Sequence, residues 1–129
     1  MRYLSPDWLA AMGDEVARRD EVRDVSAGHA LAVTQVVTDG PDGDVTYHLA
    51  IADGAVVFGP GPAAAEDVRF VQDWETAVAV ATGATNAQEA FLRGRITMVG
   101  DQRRLVAVQA VLAVLDKVLA PVREATSYA

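Results

Sequence analysis

Cysteine is absent from the 129 residues, so disulfide staples, thiol nucleophiles and thiolate metal sites are excluded. Basic charge is scarce: ten arginines and the single Lys117 stand against 18 acidic side chains, a formal net charge of −7. The deficit is uneven, since residues 1–67 hold twelve acids and four bases, net −8, and residues 68–129 hold six acids and seven bases, net +1. Nucleic-acid binding needs clustered Lys and Arg to neutralise phosphates, and this balance argues against it. Apolar runs long enough to span a bilayer are missing, so no transmembrane segment is expected. The opening Met1-Arg2-Tyr3-Leu4-Ser5-Pro6-Asp7 has no apolar run of the secretory kind, and the expected location is cytoplasmic. Aromatics make up only 6% of the chain, while Ala and Val together supply 44 residues. The core must therefore be built from small and β-branched side chains, which either close-pack or leave room for something else.

The chemistry-bearing residues are equally sparse. The only histidines are His29, just before a strand, and His48, on the strand face opposite Tyr47 and Leu49. No HxH, HExxH or calcium-loop spacing accompanies them, so neither a metal nor a cofactor is expected. No serine sits in a strand-to-helix elbow. Gly59-Pro60-Gly61-Pro62 lacks the amide donors of a phosphate loop and reads as a rigid turn. Asp39, Asp42 and Asp44 read as a hairpin loop. Arg93, Arg95, Arg103 and Arg104 form a basic cluster that either meets an anionic group or simply solvates the surface.

What the sequence does contain is a clear order of elements, and its length fits one domain, residues 1–129. Ser5 and Pro6 open a helix in which Trp8, Leu9, Met12 and Val16 recur at helical spacing, with Asp14, Glu15, Arg18 and Arg19 outward. A polar, charged stretch leads to Gly28. Strands follow over Ala30–Thr38, Val45–Ile51 and Ala55–Phe58, the last two joined by Asp53-Gly54, a type I′ turn signal. Val68–Gln72 is a fourth strand. Asp73 caps a helix that ends at Gly83. Asn86 opens a second short helix, with Glu89 completing a capping-box pattern and Gly94 as its stop. Arg95–Val99 is a fifth strand, and its helical crossover leaves a parallel pairing open to it.

A long helix spans about 101–120, with Leu105, Val108, Leu112, Leu115 and Leu119 on a broad apolar stripe and Pro121 where it should bend or stop. Such a stripe is either core, or the cover of a cavity, or a contact with a partner. The fold class is α+β: a five-stranded, mainly antiparallel sheet covered on one face by helices.

The run Asn86-Ala87-Gln88-Glu89-Ala90-Phe91-Leu92-Arg93-Gly94-Arg95-Ile96, followed by Val99-Gly100-Asp101, resembles the sterol carrier protein 2 sterol-binding-domain family. The resemblance covers roughly residues 28–105 and rests on Asn86, Gln88, Phe91, Gly94 and Gly100. It implies a fold with helices over a five-stranded sheet enclosing an apolar tunnel, and non-catalytic binding or carriage of a fatty acid, acyl-CoA, isoprenoid or sterol. Each buried methylene gains about 0.8 kcal/mol, and a chain of about fourteen gains roughly 11 kcal/mol gross. Association costs about 4–15 kcal/mol, which leaves the moderate affinity that suits reversible carriage. Fold logic assigns the cavity wall to Trp74, Val78, Phe91, Leu92, Leu105, Val108, Leu112 and Leu115. The C-terminal helix is more apolar than the resemblance leads one to expect, so it either fills the tunnel or pairs two chains. The alternative function is accordingly a homodimerisation or interaction module with a vestigial cavity. A third reading sets His48 and a neighbouring Asp inside an apolar pocket as acid and base. The Arg and Ala/Val bias points to a bacterial source with a GC-rich genome, where acyl chains or isoprenoids suit better than sterol.

Overall fold

The computed structural model describes residues 1–128. Its core is a five-stranded sheet of order β3-β2-β1-β4-β5, built from β1 (Ala30–Gly40), β2 (Gly43–Ala52), β3 (Ala55–Pro60), β4 (Val68–Asp73) and β5 (Ile96–Gly100). The first two connections are tight hairpins, and Asp53 and Gly54 take the positive φ angles that their turn demands. The chain then crosses over β2 and β1, and β4 lies parallel to β1, with Val33 opposite Val68 and Gln35 opposite Phe70. β5 is antiparallel to β4. The parallel partner is thus β4, not the fifth strand for which that pairing stood open.

The crossing chain runs over the outer face of the sheet and is tied there. Thr34, fully buried in mid-β1, accepts from the Ala63 amide at 3.1 Å and donates to Glu66 at 2.9 Å. Arg69 holds Glu66 through two contacts of 2.9 Å, which keeps its carboxyl below the usual carboxylate range. Asp67 closes the passage: one carboxylate oxygen accepts from the Ala32 amide at 2.9 Å, the other from Arg104 at 2.5 Å.

The helices pack on the other face. In α1 (Pro6–Ala17) the Ser5 hydroxyl accepts from the Trp8 amide, and Trp8 and Val16 turn inward. Glu15, expected outward, is buried, held by Arg18 and by Arg19 at 2.5 Å. The charged stretch that follows is not a loop but α2 (Asp20–Ser26), which buries Val22 and Ser26. Its two apolar positions, Val22 and Val25, are too few to write a periodicity, and its docking against the neighbouring helices is tertiary. The helices after the fourth strand are α3 (Trp74–Ala81) and α4 (Ala87–Leu92).

The predicted single C-terminal helix is two, α5 (Gln102–Ala107) and α6 (Gln109–Val118), and a further short helix, α7 (Ala120–Glu124), follows where Pro121 was expected to bend or stop it. Val108 interrupts the first pair with φ −109° and ψ 17° while itself buried, so the chain bends to keep Val108 in the core. Pro121 sits in the first turn of α7, as a residue without an amide donor should.

The inner face of the sheet divides in two. Leu31, Ile51, Val56 and Val33 meet Trp8, Val16, Val22, Val111, Leu115, Val118 and Val122 in a close-packed core at the β1–β3 end. Each such side chain contributes about 1.5–3 kcal/mol of burial. Toward β4 and β5 the helices stand off the sheet.

Candidate functional site

The space between them is a hollow of about 630 Å³, in the size range of small-molecule sites. β1, β2, β4 and β5 supply its floor through residues of one parity: Val33 and Gln35, Tyr47 and Leu49, Phe70 and Gln72, Ile96 and Met98. The walls and cover come from Ala77, Val80 and Ala81 of α3, Ala87, Gln88 and Phe91 of α4, Gln102 and Leu105 of α5, and Gln109 and Leu112 of α6. The α3 side chains among them are small.

Tyr3 and Tyr47 border the hollow as part of an aromatic cluster. Tyr3 packs against Trp8 at 5.1 Å, Trp74 at 5.4 Å and Tyr128 at 5.0 Å, and Trp8 meets Tyr47 edge-on at 5.4 Å. Such pairs add about 0.5–1.5 kcal/mol beyond their burial. Most of the chain's few aromatics are thus spent on a rigid buttress at one end of the hollow. Burial pushes both phenols far up, so they are neutral at any ordinary pH.

Among the described residues no charged side chain lines the hollow, whereas all five glutamines of the chain do. Gln88, Gln102 and Gln109 are exposed and mark its rim. Gln35 and Gln72 lie in the floor, and their Oε1 atoms are buried with no hydrogen-bond partner. A second, more open groove of about 650 Å³ between α1 and α7 is edged by Asp14, Glu15 and Arg18 and has no comparable apolar floor.

Of the eight residues assigned by sequence to the cavity wall, Phe91, Leu105 and Leu112 border the hollow. Val108, at the break between α5 and α6, and Leu115 are in the hydrophobic core instead. Trp74 sits in the aromatic cluster, Val78 is half-buried outside the lining, and Leu92 is 77% exposed. Sequence reasoning missed the floor. The signal was present: Gln35 and Gln72 occupy the buried parity of β1 and β4, where a polar residue is out of place.

The motif residues have separate tasks. Asn86 caps α4 by accepting from the Glu89 amide at 2.8 Å. Glu89 does not return the capping-box bond; its carboxylate pairs with Arg93 at 2.8 Å. Gly94 ends α4 at φ +75°. Gly100 takes φ +124° where β5 presses on Asp67, and a Cβ there would lie 2.2 Å from the Asp67 carbonyl oxygen.

The other candidates resolve plainly. His48 lies on the outer face, away from the hollow, with Nδ1 3.0 Å from the Gly61 carbonyl oxygen. The acid–base pair inside the pocket is therefore not formed by His48. The basic cluster is spent on pairs: Arg93 with Glu89, Arg95 with Glu75 at 3.9 Å, Arg103 with Asp101 at 3.6 Å and Arg104 with Asp67. The acidic turn is a hairpin in which Asp44 accepts from the Asp39 amide. Among the described residues no group of three or more His, Asp or Glu side chains is placed to hold a metal, and no helix is long and apolar enough to cross a membrane. The apolar stripe expected to pair two chains is turned inward, with Val111, Leu115 and Val118 in the core of the chain itself. Homodimerisation through it has no support.

Residues 9–113 match the family described as the SCP-2 sterol transfer family. No curated protein sequence matches the chain. Among solved structures it is similar to a sterol carrier protein 2, with TM-score 0.69 and 20% identity over 95% of this chain and 98% of that one. It is also similar to a conserved hypothetical protein from Thermus thermophilus, described as possibly a sterol carrier protein, with TM-score 0.66 and 20% identity over 98% and 92%. The inverting sec-alkylsulfatase Pisa1 from Pseudomonas sp. matches with TM-score 0.53 and 18% identity over 69% of this chain, which spans only 14% of the enzyme. At these identities the likeness is one of fold.

Proposed function

The chain belongs to the SCP-2 sterol transfer family, and from that premise we propose that it binds a long-chain lipid non-covalently in the hollow beneath α3–α6 and carries it without chemical change. The observation that supports this reading is the hollow itself: about 630 Å³, apolar along its middle, and free of charged lining. A tail laid along Leu49, Phe70, Met98, Leu105 and Leu112 would gain burial without leaving an ion desolvated. Release needs only that the gain stay moderate, which the cost of association ensures. Acyl and isoprenoid chains are the preferred ligands in this reading, and no side chain is assigned a catalytic role.

The test is mass spectrometry of organic extracts from the purified chain, followed by displacement of a fluorescent lipid probe. Copurified amphiphiles and saturable displacement at about one probe per chain are expected. An extract free of lipid together with no saturable binding would overturn the proposal.

A further inference from the structure

The five glutamines make the hollow unlike a greasy channel. Two carboxamides lie in its floor, three stand at its rim, and the apolar belt runs between them. An apolar chain end pushed to the floor would cover Gln35 and Gln72 and supply nothing to their amides. Burying an amide without a hydrogen bond is unfavourable. Their Oε1 atoms are already covered and lack partners among the described residues, so a turn of each amide head presents its oxygen or its nitrogen to what lies in the hollow. The two residues are diagonal neighbours on parallel strands, Gln35 opposite Phe70 and Gln72 opposite Val37, so both carboxamides belong to one patch of the floor.

We infer that the ligand enters with an uncharged, hydrogen-bonding head group leading, bearing both donors and acceptors, and that this group reaches Gln35 and Gln72. This rests on the carrier reading and narrows it. A carboxylate or phosphate is disfavoured at the same place. Among the described residues no Lys, Arg or His lines the hollow, the arginines around it are already paired with carboxylates, and the chain as a whole carries −7. An amide with a rotatable head offers N–H and C=O alike, which suits hydroxyls and carbonyls and gives an ion no counter-charge. Tyr3 and Tyr47, neutral at ordinary pH, add donors of the same kind at the edge of the hollow.

The experiment uses the delipidated full chain, an uncharged fluorescent probe and three competitors with one sixteen-carbon tail: hexadecanoate, hexadecan-1-ol and 1-hexadecanoylglycerol, each below its aggregation concentration. The glyceride, with its ester and two hydroxyls, is expected to bind at least about tenfold tighter than the carboxylate, with the alcohol between them. Gln35→Leu with Gln72→Leu should reduce that ratio to about twofold or less, and Gln72→Leu alone should reduce it partway. Circular dichroism and a cooperative urea-unfolding transition report that the variants are folded. Equal or tighter binding of hexadecanoate by the native chain would overturn the inference while leaving the carrier reading intact. So would a preference that survives in the folded variants. Failure of all three competitors to bind would overturn both.

Discussion

Asp67 and Arg104, 37 positions apart in sequence, meet at 2.5 Å and fasten the cover of the hollow to the sheet. Arg104 belongs to α5, and its second amino group donates to the Ala30 carbonyl at 3.1 Å. Asp67 stands at the entry to β4 and also accepts from the Ala32 amide. One carboxylate thus joins β1, β4 and α5. Asp67→Ala leaves a backbone amide and a guanidinium without their acceptor, and the expected loss is about 1–3 kcal/mol in urea unfolding. Arg104→Ala removes a half-exposed cation only, and the loss should be at most about 1 kcal/mol.

Two glycines of the same motif should respond differently to one methyl group. At Gly100 a Cβ would meet the Asp67 carbonyl oxygen at 2.2 Å and the Val68 Cα at 2.9 Å, so Gly100→Ala should cost at least about 3 kcal/mol or abolish folding. At Gly94 nothing lies within 4 Å, and only the left-handed φ of +75° opposes the substitution. Gly94→Ala should cost about 1–2 kcal/mol. Thermal and urea unfolding of the pair check the order.

Glu15 gives the fold an acid sensitivity of known sign. Hydrogen bonds from Arg19 and then Arg18 hold its carboxyl below its ordinary value near 4.5. The folded chain therefore keeps the charge at a pH where the unfolded chain has taken up a proton. The stability this contributes is complete above the unfolded value and is lost as pH falls through the lower folded one. Unfolding measured at pH 6, 4 and 3 should show a steeper decline for the native chain than for Glu15→Gln. Parallel declines would contradict the assignment.

Neighbouring residues of α6 should separate stability from binding. Leu115 is 4% exposed within the core, and Leu115→Ala should cost about 2–5 kcal/mol. Leu112 borders the hollow, where space exists for a larger ring. Leu112→Trp should change stability by less than about 1.5 kcal/mol. It should also weaken displacement of a lipid probe at least about tenfold, since it removes the volume the ligand needs.

Much of the architecture was legible because it rests on local chemistry. Ser5, Asp73 and Asn86 cap their helices as their residue types require, and Asp53-Gly54 turns where it should. What escaped was set by distant contacts. α2 has too little apolar periodicity to announce itself, and its burial of Val22 depends on helices far along the chain. The bend at Val108 reflects competition between helical continuity and burial of one side chain, which no window of sequence records. The floor was readable from the parity of Gln35 and Gln72.

α5 buries no residue of its own, whereas α6 beside it buries Val111, Leu115 and Val118. The break between them therefore separates two energy scales. Lifting the short segment sacrifices a cap, an ion pair and a few half-covered contacts; lifting its neighbour would unfold the molecule. A substitution in α5 should therefore be felt far less by the fold than one at the inward face of α6.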